Sequence, residues 1–287
     1  MKIAFLILHY KNIKETIECV ESILKNVNYD DYNIIIVDNG SNNNTGEHLK
    51  ERYKNNKKVK VIINKVNLGF AKGNNIGFSY IKNNLHSDFI VMINSDTIIK
   101  QKEFCEKLIS KYNELKFHVA GPDIISNDGE HVNPVNVTCK NVEDLKKMIR
   151  LKKKQIALCK YKMEFLNIMV SKFKNKFNNV RNIQGEYFQI HGAAIIFSPL
   201  YINMYNGLYD GTFLYFEETI LRYICDRDKL KMAYLKDLQV IHKESKTTKS
   251  LFRNISKRHM FYYVNSLNSC IALLNLINQD KNTTWKE

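Results

Sequence analysis

The residues able to do chemistry in this chain stand directly after its apolar runs. His9, Tyr10 and Lys11 end the run that begins "IAFLIL", and Asp38 closes "YNIIIVD". The stretch "NLGFAKGNNIG" after "VKVIINK" carries Asn67, Gly69, Lys72, Gly73, Asn74 and Gly77, and Asn94-Ser95-Asp96 follow "FIVMI". Small polar residues at such points are ordinary turn formers. Set along one edge of a sheet, however, these four stations have the types a nucleotide needs. Tyr10 can stack on a base, and Asp38 can accept hydrogen bonds from base or ribose. A Gly-rich helix entry lets backbone N–H groups approach phosphate, and Asp96 can hold a divalent ion that bridges phosphates. The glycines fit neither the dinucleotide fingerprint nor the P-loop pattern, so those two classes lack their signatures.

For the stations to meet, the strands that carry them must be parallel. The first 125 residues alternate strand-like and helix-like patterns in a βαβαβαβαβ rhythm, which predicts a mostly parallel sheet with helices on both faces. Ligands of such sheets sit beyond the carboxyl ends of the strands. "KETIECVESILKNV" puts Ile17, Val20, Ile23, Leu24 and Val27 on one helical stripe. The α/β texture lapses after residue 125 and returns at Gln184. "EYFQIHGAAIIFSP" then reads as a strand entering a turn, "YFEETILRYICDRDK" as a helix, "MAYLKDLQVIH" as a strand, and "RHMFYYVNSLNSCIALLNLI" as a C-terminal helix.

The formal charge of +15 is concentrated. Between Lys140 and Arg181 there are thirteen Lys or Arg against three acids. Such a block suits a polyanion (anionic lipid, nucleic acid or a phosphorylated substrate) or simply a solvated basic face. Within it Met163, Leu166, Met169, Phe173 and Phe177 recur at helical spacing between lysines, as in a helix lying on a membrane or packed on its own domain. Six scattered cysteines form no C-x-x-C pair, which predicts free thiols in a reducing cytoplasm. No run approaches the ~18 consecutive apolar residues of a membrane span, and the N-terminus reads as a first strand rather than a signal peptide.

Together "ILHYKN…ETIECVESI", "IIIVDNGSNN", "NKVNLGFAKGNNIG" and "VMINSDT" resemble successive signatures of inverting family-2 glycosyltransferases of the GT-A fold. The rhamnosyltransferase-like branch of bacterial surface-polysaccharide synthesis is the most similar. "GAAIIFSPLY" (with Gly192), "YDGTFLYFEETILRYI" and "VIHKES" extend the resemblance, which covers roughly residues 3 to 125 and 184 to 247. It implies a nucleotide-sugar-binding half over 1–125 and an acceptor and catalytic half of the same α/β domain over 184–247; the basic amphipathic helical insert expected over 126–183 is not part of the shared pattern, and a helical tail is expected over 248–287.

By the same resemblance, Asp96 is the metal-binding acid of the Asn94-Ser95-Asp96 motif, whose first acid is replaced here by Asn94. His242 is similar to the second metal ligand, for Mn2+ or Mg2+. Glu217-Glu218 occupies the place of the catalytic base that inversion needs to take the acceptor's proton, and Glu218 is the expected base because the second acid of the family's pair usually has that role. His9, Tyr10, Asp38, Asn67, Gly69, Lys72, Asn74, Asn94, Ser95 and Gly192 are the expected substrate-binding residues. The implied donor is a UDP- or dTDP-sugar, and the implied acceptor a saccharide or polyprenyl-diphosphate-linked saccharide. The implied location is the cytoplasm, peripheral at an anionic inner membrane face, with no nucleic-acid partner. A sugar nucleotidyltransferase would need a Gly-rich loop after the first strand, and "LHYKNIKET" has none. A basic nucleic-acid-binding protein would leave the ordered stations and the acid pair unexplained.

Overall fold

The computed structural model describes residues 1–161, 187–243 and 254–280. Eight strands form one sheet in the order β3-β2-β1-β4-β7-β6-β8-β5. They are β1 (Ile3–His9), β2 (Tyr32–Asp38), β3 (Val59–Ile63), β4 (Phe89–Asn94), β5 (Thr97–Ile98), β6 (Val119–Ser126), β7 (Ala194–Phe197) and β8 (Met232–His242). The neighbours among β3, β2, β1 and β4 are parallel, as are β6 and β8. β7 runs antiparallel between β4 and β6, and β5 antiparallel along the end of β8. The fold is therefore α/β of the doubly wound, mostly parallel GT-A type.

Helices cover both faces because the central strands are apolar on both. β1 alternates between the two cores: Ile3, Phe5 and Ile7 join one cluster, Ala4 and Leu6 the other. Each large side chain so buried stabilises the fold by about 1.5–3 kcal/mol. The first cluster is closed by α1 (Ile13–Asn26), α2 (Thr45–Arg52) and α4 (Phe104–Leu115) through Cys19, Val20, Ile23, Leu49, Phe104 and Leu108. The second is closed by α3 (Phe70–Tyr80), α5 (Val142–Lys160), α6 (Pro199–Met204), α7 (Glu217–Arg227) and α8 (Ile255–Gln279). Asn12 caps α1 by accepting from Glu15 N, and Asn141 caps α5 by accepting from Asp144 N.

Within residues 126–183, expected to form a basic helical insert, lies the basic helix α5, whose Leu145 and Cys159 are buried while Lys146, Lys147, Arg150, Lys153 and Lys154 are exposed. α5 lies against α8. The proposed stripe from Met163 to Phe177 lies outside the described residues. α8 is long and apolar enough in composition to cross a membrane, although no uninterrupted apolar run signals it. Its Ser266, Cys270, Leu273 and Ile277 are buried against the domain. All six cysteines are buried and free.

Candidate active site

The parallel strands bring three stations to one sheet edge through direct register: His9 lies opposite Asp38, Leu8 opposite Asn94, and Asp38 opposite Ile63. Asp38 is buried beside α2, where a Cβ on Gly46 would stand only 2.3 Å from Oδ2. Its Oδ1 accepts from the Ser41 backbone N at 3.3 Å and from the Ser41 hydroxyl. Burial raises its carboxyl above the ordinary value, and the Ser41 bonds oppose that shift.

His9 lies beneath this carboxylate. Its ring nitrogens are taken by Thr16 Oγ1 at 2.7 Å and Thr45 Oγ1 at 2.8 Å, and Nε2 is 4.0 Å from Asp38 Oδ1. Burial pushes the imidazole down to about 4, so it braces the loop as a neutral ring. Tyr10 is half-buried, with the Lys11 ammonium 5.1 Å from its ring centre.

Asn39, which the sequence reading passed over, stitches the second and third stations together. Its Nδ2 donates to Asn67 Oδ1 and to Gly69 O, both at 3.0 Å, and its Oδ1 accepts from Leu68 N at 3.1 Å. Gly69 has φ +85°, and a Cβ there would sit 2.3 Å from Phe213 O. This glycine thus lets the entry of α3 reach the segment before α7, where Phe70 N donates to Phe213 O at 2.8 Å. Lys72 is exposed on α3, whereas Asn74 is buried and donates to Phe70 O at 3.0 Å.

The fourth station turns sharply. Thr97 Oγ1 donates back to Asn94 O at 2.8 Å, and β5 then pairs Thr97 with His242. This two-residue strand, invisible to periodicity, carries Asp96 to the far end of β8. There Asp96 Oδ1 lies 3.3 Å from His242 Nε2, each side chain 12% exposed. His242 Nδ1 is buried with no hydrogen-bond partner among the described residues. The His191 ring centre is 5.6 Å from that of His242, and burial followed by the His242 charge pushes His191 down to about 4. The Asp96 carboxylate and the orphaned nitrogen of His242 are donors a divalent transition-metal ion accepts. No group of three or more His, Cys, Asp or Glu that could hold a metal occurs among the described residues. An ion held by Asp96 and His242 would therefore complete its shell from oxygens of a ligand or water.

Asn94 N donates to Ala193 O at 2.9 Å, which joins this station to the acid pair. Gly192 N donates to Glu218 Oε1 at 3.1 Å, and a Cβ on Gly192 would stand 2.2 Å from that oxygen. Glu217 accepts from Thr212 Oγ1 at 3.2 Å. Both acids open α7 after two residues in the left-handed region, Tyr215 (φ 72°) and Phe216 (φ 76°). Such backbone is uncommon outside glycine and concentrates at functional sites. Burial first, and then the Glu218 charge, pushes the Glu217 carboxyl up to about 8; burial raises Glu218 too, while the Gly192 N–H favours its ionised form. Burial thus disfavours ionisation of both acids, and Glu218 is the one whose ionised form the Gly192 N–H stabilises. Asn94, His191, Gly192, Glu217 and Glu218 line a cavity of about 400 Å³, whose opposite wall comes from α5 and α8. His191 went unnoticed in the sequence although it directly precedes Gly192.

Comparison with known proteins shows the family and the fold. The model of the family described as glycosyl transferase family 2 matches residues 5–192. This chain belongs to glycosyl transferase family 2. It is 35% identical over 92 residues to glycosyltransferase GlyG of Streptococcus pneumoniae serotype 4, a match covering 32% of this chain and 29% of that protein. The fold is similar to that of S. aureus TarS 1-349 in complex with UDP-GlcNAc. That likeness has a TM-score of 0.55 at 15% identity and covers 92% of this chain and 64% of that one. GalNAc-T7 with UDP, GalNAc and Mn2+ is also similar, with a TM-score of 0.58 at 14% identity, over 91% of this chain and 50% of that one. At such identities the two structures speak for the GT-A fold of this family 2 member.

Proposed function

We propose that this family 2 protein is an inverting glycosyltransferase. It moves a sugar from a UDP- or dTDP-sugar to a saccharide or lipid-linked saccharide acceptor in surface-polysaccharide synthesis. The observation that carries the proposal is Glu218, fixed by the Gly192 N–H at the wall of a cavity that also reaches Asn94. The complexes of TarS with UDP-GlcNAc and of GalNAc-T7 with UDP and Mn2+ support a nucleotide-sugar donor. Motif similarity alone supports the rhamnosyltransferase-like branch.

In this reading Asp38 orients the base or ribose, and the Asn39-braced turn at Asn67–Gly69 shapes the diphosphate side. Asp96 and His242 hold the divalent ion, which when bound stabilises charge on the leaving diphosphate. Glu218 takes the proton of the acceptor hydroxyl. The freed oxygen attacks the anomeric carbon as the bond to the diphosphate oxygen breaks, and the configuration inverts. Glu217, protonated, adds no competing anion. The exposed cations of α5, and the exposed Ile255, Val264 and Ile271 of α8, support peripheral contact with anionic membrane.

The test is a panel of UDP-, dTDP- and GDP-sugars with Mn2+. Turnover of one donor and thermal stabilisation by its nucleotide are expected. Stabilisation that requires Mn2+ and vanishes in Asp96→Asn fits the ion site, and stabilisation indifferent to both removes it. Glu218→Gln should abolish transfer while leaving nucleotide binding intact; if Glu217→Gln does so instead, the base is reassigned. No thermal shift with any nucleotide would end the donor reading.

A further inference from the structure

One wall of the cavity remains without a role. Lys152, on α5, is only 6% exposed, yet it lines the same cavity as the acid pair. Among the described residues it makes no ion pair. Its ammonium lies 4.2 Å from the ring centre of Tyr262 and 5.4 Å from that of Tyr263. Aromatic faces attract a cation but do not neutralise it, and an ammonium held out of water without a counter-charge is costly. Ser266, one helical turn after Tyr262 on α8, also lines the cavity. It is 1% exposed, and its buried hydroxyl has no hydrogen-bond partner among the described residues. A buried hydroxyl left unpaired is itself uncommon and marks a missing partner.

These two groups face the cavity from helices that the sheet does not need for its stations. They connect to the chemistry through one contact. The Tyr262 ring packs edge-on against Tyr215 at 4.9 Å between centres, and Tyr215 is the first of the two left-handed residues before Glu217. A negative group bound between Lys152 and Ser266 would therefore lie across the cavity from the acid pair. A neutral sugar would leave the lysine charge unanswered.

Resting on the glycosyltransferase reading, we infer that Lys152 and Ser266 form an oxyanion subsite for the acceptor, which carries a phosphoryl or carboxylate group beside the hydroxyl to be glycosylated. Lys152 supplies the charge, Ser266 a donated hydrogen bond, and Tyr262 holds the ammonium in place. The subsite selects the acceptor and has no part in donor binding.

The experiment is titration calorimetry with glycerol 3-phosphate and, separately, glucuronate, on the full chain saturated with UDP so that its diphosphate site is filled. At least one probe should bind the wild type. Lys152→Met should weaken that binding by about tenfold or more, the worth of one charge-assisted contact. Lys152→Arg should retain most of it, and Ser266→Ala should lose less than Lys152→Met. UDP affinity should be unchanged in all three. Phosphate-only binding names a phosphorylated acceptor, and carboxylate-only binding an acidic sugar. Equal binding by wild type and Lys152→Met, or no binding of either probe to the wild type, overturns the subsite. Should Lys152→Met fail to fold, the same titration of Lys152→Gln is read instead. If UDP itself does not bind, the donor reading falls separately, and the wild-type and Lys152→Met titrations without nucleotide still decide the subsite.

Discussion

Replacing Gly192 by Ala tests whether the position of Glu218, and not merely its presence, matters. A Cβ at residue 192 would lie 2.2 Å from Oε1, 3.0 Å from Cδ and 3.3 Å from Cγ of Glu218. The obstacle is the end of a flexible side chain, so the carboxylate rather than the backbone must give way. It would retreat by about 1 Å, a scale at which misplaced groups cost about 10²-fold in rate. The 3.1 Å bond from Gly192 N would be lost with it. That bond favours the ionised carboxylate, so the displaced acid would also become harder to ionise.

The assay is steady-state transfer with the donor found in the panel, beside UDP titration and thermal melting. Gly192→Ala should lower kcat by about 10²-fold, within the range general-base catalysis contributes, with UDP affinity unchanged and a melting temperature close to wild type. The double variant Gly192→Ala/Glu218→Gln should be no slower than Glu218→Gln alone, because both changes remove the same function. Wild-type turnover in Gly192→Ala would refute the reasoning. So would multiplicative losses in the double variant, which would give Gly192 a role independent of Glu218.

Glu217 makes stability depend on pH in an unusual direction. Its carboxyl is pushed from the ordinary 4.5 to about 8 in the fold, so across that window the unfolded chain has released a proton that the folded chain keeps. Its contribution to stability therefore declines as pH rises from about 4.5 to about 8 and levels off above, by about 1.4 kcal/mol per unit at most. Melting curves of Glu217→Gln should lack this decline and gain on wild type toward pH 8; parallel curves would show that Glu217 ionises normally. Gly69→Ala should destabilise by about 1–3 kcal/mol from its left-handed backbone, with more from the clash against Phe213 O, as read by urea unfolding; a neutral result would mean that the entry of α3 does not need the close approach. Changing Lys146, Lys147, Lys153 and Lys154 to Gln should cut co-sedimentation with phosphatidylglycerol vesicles and flatten its salt dependence, at about 1 kcal/mol per charge near the surface. Unchanged binding would remove α5 from any membrane contact.

What could be read from the chain alone follows from which forces are local. Apolar runs and helical stripes record burial, so the alternating elements and the stations at Asp38, Gly69 and Asn94 were legible before any coordinates. Pairing partners are not recorded that way. β7 is four residues long and slips antiparallel between β4 and β6, and β5 is only two. Neither has room for a period, yet β5 is what sets Asp96 beside His242. His9 shows another limit: its place after a strand is visible in the chain, but the occupation of its two ring nitrogens by Thr16 and Thr45, distant from each other in sequence, is not.

Lys152 illustrates why the acceptor side was harder to see than the donor side. In sequence it is one of thirteen basic residues between Lys140 and Arg181, and nothing in its neighbours distinguishes it. Its burial depends on α8, more than a hundred residues later, supplying Tyr262 and Tyr263 as a floor. The proposed donor stations are carried by strands whose parallel register sets all their ends on one edge, although the spatial order β3-β2-β1-β4 is not the order of the chain. The acceptor wall is carried by two helices packed on each other, and only their contact turns a solvated charge into a selective one. In the proposed reading, family membership informs the strand edge that takes the donor, whereas selectivity for acceptor lies in the α5–α8 contact. Exchanging that helix pair between family members should move acceptor preference and leave donor preference with the strands.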